Sequence, residues 1–399
     1  MSKAYLSELN LRLQSLAVFR ALLEDPVLAS LSCYLGSLNG SDTSAKVSAY
    51  SGFVSCVYRT QSPTLARYIQ SVVGDNENPY ICMIGSGVRP WAEMERSVRE
   101  ELEVLQAVAD LTPQILRGGI DWAGYLPGFP AEHVDIPESY CRRCEKIGQY
   151  GYGIYARFRM FYINPANQIT PVRNPDRTRL SSLVDYEREK KIILDNTLAL
   201  LEGKPAANVL LTGDAGTGKS STVKAIVNEL YDRGLRILEV RKEQLHQIPE
   251  ILDTLNSNPL KFILFIDDLS FQKDDDNFSA LKAILEGSVS AKSSNVVIYA
   301  TSNRRHLVKE SFSDRDGDDI HRNDTVQELL SLSERFGIHV TFQKPDKKTY
   351  LDIVHHLARE RGVEMDEAEL DALAERYALG RGGRSARAAN QFVDGLAAE

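Results

Sequence analysis

Long apolar runs are missing from this 399-residue chain. No segment approaches the roughly 18 consecutive apolar residues that a helical bilayer crossing needs, so no membrane association is expected. Cysteine is scarce. The five present (Cys33, Cys56, Cys82, Cys141, Cys144) form an odd set confined to the first 150 positions, which argues for reduced thiols over a disulfide framework. Cys141 and Cys144 make a lone CxxC with no second CxxC and no HxxxH, so a four-ligand zinc site would have to recruit Cys82 or His133 from elsewhere. Two incidental cysteines on a helix face are the simpler expectation. Positive charge is not in excess either. The formal net charge is −8, and all of it falls after position 180, which excludes a strongly basic nucleic-acid footprint. The first residues alternate polar and apolar side chains and lack a signal-peptide core, so the cytoplasm is the expected location. No repeat and no low-complexity linker is present.

A chain this long is expected to hold two or three domains. Residues 1–150 read as a mostly helical domain, with three- and four-residue apolar spacing near 4–24, 44–58, 62–73 and 91–111. Val98, Leu102, Leu105, Val108 and Leu111 make one such stripe. Residues 151–180 read as a hairpin or linker turning at 164–167. Its Tyr155, Arg157, Arg159 and Phe161 alternate as one strand face would, with Arg173, Arg177 and Arg179 following. Aromatics interleaved with arginines can stack bases and meet phosphates. An edge strand whose apolar face packs inward and whose arginines meet acidic neighbours is the preferred reading.

From 181 to 344, short apolar runs at 208–212, 235–240, 262–266, 296–300 and 338–342 alternate with helical spacing. This pattern predicts a parallel sheet covered on both faces. Residues 345–399 carry helical spacing only, over 346–361, 366–378 and 383–397, and read as a helical lid.

Between the first apolar run and the helix after it lies Gly213-Asp214-Ala215-Gly216-Thr217-Gly218-Lys219-Ser220, followed by Ser221. Glycines at this spacing let backbone N–H groups turn inward on a polyphosphate, and the helix N-terminus adds its positive dipole end. Lys219 is placed to neutralise the β and γ phosphates, and Ser220 to hold Mg²⁺ through its hydroxyl. The chain is expected to bind a nucleoside triphosphate.

The third run, 262–266, ends in Asp267-Asp268 at the end where parallel sheets bind ligands. Asp267 is placed to hold Mg²⁺ beside Ser220, and Asp268 to orient or deprotonate an attacking water. The fourth run, 296–300, leads through Thr301-Ser302 to Asn303. If that strand lies between the first and third, Asn303 emerges beside the γ-phosphate.

Taken with Leu332-Ser333-Glu334-Arg335-Phe336-Gly337 and Gly382-Gly383-Arg384-Ser385-Ala386-Arg387, this motif order resembles the AAA+ superfamily. The stretches NTLALLEGKPAANVLLTGDAGTGKSS, FILFIDDLSF, IYATSNRRHLV and LSLSERFG closely resemble a bacterial AAA+ ATP-binding family of unknown function, strongly over 180–393. The resemblance implies an α/β P-loop NTPase fold with a five-stranded parallel sheet, ATP and Mg²⁺ as ligands, and a homo-oligomer. It implies that Arg335 is an arginine finger reaching a neighbouring subunit's ATP. Arg384 would then be the lid's phosphate sensor, with Arg387 one turn on as its competitor, and Leu183-Val184-Asp185-Tyr186 would wall the adenine through Val184 and Tyr186. One departure is chemical. Many AAA+ motors end the third strand in Asp-Glu. An Asp at position 268 draws the carboxylate back by about 1 Å, a misplacement that can cost ~10²-fold in rate.

Slow Mg-ATP hydrolysis that drives or switches engagement of a protein client or nucleic acid is the leading expectation. A nucleotide-gated scaffold with negligible turnover and a nucleic-acid loader are the alternatives. A small-molecule kinase would leave Arg335 and Arg384 without a purpose.

Overall fold

Short polar side chains start most helices of the first 150 residues, each accepting a backbone N–H that the helix itself cannot use. Asp25 accepts from Val27 and Leu28, Thr64 from Arg67, Asn78 from Ile81, Thr112 from Ile115 and Asp135 from Glu138. A proline stands at the first turn after Asp25, Asn78, Thr112 and Asp135, where its missing N–H costs nothing. These caps open helices Pro26–Ser37, Leu65–Asp75, Pro79–Gly85, Pro113–Arg117 and Ile136–Glu145. This computed structural model describes residues 3–269, 276–286, 294–303 and 334–398. Positions 270–271, 304–308 and 330–333 of the stretches that carry the AAA+ resemblance lie outside the described residues.

The helix expected over 4–24 is interrupted. Lys3–Gln14 is helical, but the N–H groups of Ala17, Val18 and Phe19 turn instead to the Glu101 carboxylate at 3.0, 3.1 and 2.9 Å. A 3₁₀ turn, Arg20–Glu24, and the unexpected helix Pro26–Ser37 follow. Glu101 projects from helix Ala92–Ala109, whose Val98, Leu102, Leu105 and Val108 are buried.

The chain divides into two compact units, Met1–Arg157 and Phe158–Glu399. The second contains, among the described residues, seven strands: β1 Met160–Ile163, β2 Ile169–Pro171, β3 Val209–Gly213, β4 Leu235–Glu239, β5 Lys261–Ile266, β6 Val296–Ser302 and β7 Ile338–Phe342. They form one sheet in the order β2-β1-β4-β5-β6-β3-β7. All neighbours are parallel except β1 and β2. The five expected strands are the last five of this order. Seven are observed because the hairpin docks on their edge, with Met160 opposite Ile237 of β4.

The strand face expected at Tyr155, Arg157, Arg159 and Phe161 does not form, since Ile154–Arg157 is a helical turn and pairing starts only at Met160. Arg157 meets Asp75 at 3.3 Å, while Arg159 donates to Asn228 and covers the Tyr231 ring. Both are bound within the protein.

β6 lies between β5 and β3, the placement that brings Asn303 toward the loop after β3. Its residues are buried throughout, as are those of β3, because helices cover both sheet faces. Val209, Leu211, Val223, Ile226, Ile263 and Phe265 form the core of one side. Helices Lys347–Glu360, Glu367–Gly380 and Ala386–Ala397 pack a separate core around Tyr350, Val354, Ala374, Ala389 and Val393. No described helix is long and apolar enough to cross a membrane.

Candidate nucleotide site

β3 runs out at Gly213 and the helix Lys219–Leu230 begins six residues later. The turn between them needs glycine where the backbone enters the left-handed region: φ is 141° at Gly213, 80° at Gly216 and 93° at Gly218. Gly213 is constrained twice, since a Cβ there would fall 2.1 Å from the Phe342 carbonyl oxygen on β7. Asp214 and Ala215 form the exposed crest of the loop, and the Thr217 hydroxyl closes it by donating to the Asp214 carbonyl at 2.9 Å. Lys219 points back under the loop and is only 5% exposed. Its ammonium donates to the carbonyls of Gly213 at 2.8 Å and Asp214 at 2.9 Å, and to Asn303 Oδ1 at 3.1 Å. Burial pushes its pKa below the ordinary lysine value, Asp267, Asp214 and Asp268 oppose that, and Arg387 adds like-charge repulsion.

The carboxylates at the end of β5 join this arrangement through β6. Ser220 Oγ donates to Asp267 Oδ1 at 2.6 Å, and Thr301 Oγ1 donates to the same oxygen at 2.6 Å. The Asp268 amide donates to Thr301 Oγ1 at 2.9 Å, with Asp268 itself held at φ 53°. Asn303 Nδ2 donates to Asp268 Oδ1 at 2.6 Å. Lys219, Ser220, Asp267, Asp268 and Asn303 thus meet from three chain segments at the carboxyl ends of adjacent strands. Ser221 follows in the first turn of the helix, half-buried.

The lid reaches the loop by backbone. The Arg387 N–H donates to the Gly216 carbonyl at 3.2 Å, and a Cβ on Gly216 would come within 2.9 Å of Arg387 Cβ and 3.3 Å of Ser385 Oγ. Arg384 is turned elsewhere: its guanidinium grips Glu375 in a two-point fork at 2.8 and 2.6 Å. That fork holds the Glu375 carboxyl below the usual carboxylate range. Val184 packs against the lid core while Tyr186, two residues on, packs against the sheet core. Asp185 and Tyr186 both adopt left-handed backbone, at φ 70° and 62°. The Tyr186 ring lies 5.0 Å from Phe342, and its hydroxyl donates to the Gln343 carbonyl at 2.5 Å. Burial, with Asp185 nearby, pushes that hydroxyl up to about 12. Arg335 stands half-buried just before β7.

Sequence reasoning passed over Thr301. Strand alternation puts it on the same face as Asn303, and that spacing was the available signal. It also passed over Ser385, whose hydroxyl caps the last lid helix beside Gly216. Among the described residues, no group of three or more His, Cys, Asp or Glu is placed to hold a metal ion. The five cysteines are free, and burial pushes Cys144 up to about 12, which keeps it a thiol near neutrality and runs against a redox role.

No curated protein matches the chain in sequence. Among solved structures, the Thermotoga maritima RuvB Holliday junction branch migration motor is similar at 20% identity over 54% of this chain and 63% of that one, with a TM-score of 0.36. A point mutant of that motor aligns at 20% identity over the same shares with a TM-score of 0.38. A chain of the E. coli MS115-1 HORMA:CdnC:Trip13 complex is similar at 13% identity over 55% of this chain and 90% of that one, with a TM-score of 0.37. The match therefore spans less than two thirds of the RuvB chain. Residues 156–399, more than half of the sequence, match the model of one family. Bearing an α/β fold built on one mostly parallel sheet over that span, the chain belongs to the family described as "Protein of unknown function (DUF815)".

Proposed function

We propose that the chain binds Mg-ATP on the loop from Gly213 to Ser220 and hydrolyses it slowly at oligomer interfaces. The cycle would drive or switch its engagement of a macromolecular partner. The observation that supports this reading is the continuous hydrogen-bond path from Ser220 through Asp267, Thr301, Asp268 and Asn303 to Lys219. The donor set fits the ligands. Ser220 and Asp267 offer two hard oxygens, the meagre protein share that Mg²⁺ takes when phosphates supply the remainder. Lys219 is a buried cation whose partners include two loop carbonyls, and phosphate oxygens can replace them.

In this reading Mg²⁺ neutralises charge on the phosphates, and the chain's own side chains do the rest. Lys219 and the loop amides orient the triphosphate. Asp268 accepts the proton of the attacking water, and Asn303 holds that water and a phosphate oxygen. Arg335 supplies positive charge to a neighbouring subunit's site. Arg387, the arginine seated on Gly216, serves as the lid's sensor, while Arg384 ties the lid together through Glu375. Val184 and Tyr186 bracket the base.

Titrating Mg-ATP into the protein in a calorimeter tests the binding step, and an absence of heat ends this reading. Mixing tests the oligomer: Arg335→Ala and Lys219→Ala subunits, each inactive alone, should recover part of the turnover together. No recovery would leave Arg335 a role within its own subunit. A second reading, a nucleotide-gated scaffold, draws on the bond from Asn303 to Asp268, which occupies a carboxylate oxygen that hydrolysis needs. It requires that the wild type show no turnover even at high protein concentration. For the partner, exposed Arg173, Arg177 and Arg179 favour nucleic acid and the helical first unit a protein client. Capture on an Asp268→Asn protein with and without nuclease separates the two.

A further inference from the structure

A threonine hydroxyl has one proton to donate and an oxygen that also accepts, and Thr301, 2% exposed on β6, uses both. Its hydroxyl proton goes to Asp267 Oδ1 at 2.6 Å, and its oxygen takes the Asp268 amide at 2.9 Å. Its carbonyl takes the next amide, Leu269, at 2.7 Å. One residue of β6 thereby holds three consecutive positions of the turn that leaves β5.

That turn places Asp268 at φ 53°, in the left-handed region that non-glycine residues enter sparingly. The amide bond to Thr301 is one of the interactions that fixes it there. Asp267 has a complementary problem. Ser220 and Thr301 both donate to the same oxygen, yet the Ser220 hydroxyl is the group whose oxygen must face a cation. Thr301 carries no such second duty, so it can keep Asp267 aimed whatever Ser220 does.

We infer that Thr301 is a positioning residue of the Mg-ATP site. It aims Asp267 at the cation and sets Asp268 at the angle from which it reaches water, and it touches neither nucleotide nor metal itself. The inference rests on the Mg-ATP reading above. Partners that orient a metal ligand are commonly worth 10- to 100-fold in metal affinity, and that is the size of effect expected here.

The test uses the full chain with Thr301→Val, which keeps the shape and removes the hydroxyl, Thr301→Ala as a second variant lacking it, and Thr301→Ser, which restores it. Binding of a fluorescent ATP analogue is followed first in EDTA and then across a magnesium titration, with melting temperatures measured alongside. In EDTA all four proteins should bind within about 2-fold of one another. The magnesium midpoint should rise about 10-fold or more in the Val and Ala variants and return to the wild-type value in the Ser variant. Turnover, where measured, should fall in the same two variants. Val and Ala proteins that melt like the wild type and share its magnesium midpoint overturn the inference, as does a Ser variant as impaired as Val. Since the midpoint is a binding measurement, it decides the role of Thr301 even in a protein that never hydrolyses ATP. A wild type that binds no nucleotide overturns the Mg-ATP reading itself.

Discussion

Glu101 in the first unit and Lys219 in the second are both charged side chains buried against backbone, and the two serve different ends. In the first, Glu101 is 7% exposed and accepts three backbone N–H groups. In the second, Lys219 is 5% exposed and donates to two backbone carbonyls and Asn303. Burial alone does not tell them apart. The partners do. Glu101 holds amides with no other acceptor, so its bonds are part of the fold. Lys219 holds carbonyls of a glycine-rich loop, one of them that of exposed Asp214, and an Asn that also reaches Asp268. A buried charge marks a site when its partners can be exchanged.

The largest effect that tests this contrast is Lys219→Ala, which should weaken Mg-ATP binding by about 100-fold or more while leaving the melting temperature near that of the wild type. A strongly destabilised Lys219→Ala protein would put Lys219 in the same class as Glu101. Next comes Asp268→Asn, with kcat reduced by about 10²-fold and nucleotide affinity retained. Loss of affinity in that variant would place Asp268 among the binding groups. Glu101→Ala should do the reverse of Lys219→Ala. Three stranded amides cost several kcal/mol of stability, read by urea unfolding, with nucleotide affinity per folded molecule unchanged.

The lid repeats the contrast on a smaller scale. Arg387→Ala should weaken ATP binding by about 10-fold, and Arg384→Ala should act mainly on lid stability through Glu375. Equal effects on binding from both would erase the distinction. The smallest change concerns pH. Hydrogen bonding to Arg384 lowers the Glu375 pKa from its ordinary 4.5 in the folded protein. The pair therefore contributes stability above that ordinary value and loses it as pH falls through the lower, folded one. Glu375→Gln should show a slight loss of thermal stability at pH 7 that shrinks toward nothing in acid. A gap that instead widens in acid would mean that Glu375 is protonated in the fold.

How much of this could be read beforehand depends on distance along the chain. Loop 213–220 was legible because its chemistry is local, with glycines, lysine and serine within eight positions. Asp267 and Asp268 were legible because they end an apolar run. Asn303 needed one further assumption, that β6 lies between β3 and β5, and the sheet has that order. Thr301 carried a weak signal, its two-residue spacing to Asn303, because nothing in its own segment says that a neighbouring strand ends in two acids. Neither was the docking of β1 on β4, whose pairing partners lie about 77 positions apart, Met160 with Ile237. The helix Pro26–Ser37 was missed although its start was written plainly in Asp25-Pro26, because its run of small and apolar residues has no clear period. For the lid arginines the motif spacing favoured Arg384. The contacts on which the proposal for Arg387 rests, Glu375 for one and Gly216 for the other, come from outside that motif.

The short segment around Tyr186 has a mechanical consequence. The chain enters the lid core at Val184 and is back in the sheet core at Tyr186, and it leaves again between Phe342 and Lys347. Two residues of chain span at most about 7 Å, and the Tyr186 hydroxyl pins the first crossing to the second at Gln343. A body hung on two stays fastened at one knot has little room to slide away from its frame. The knot itself lies beside the glycine loop, since Phe342 pairs with Gly213, a few residues from where Arg387 meets Gly216.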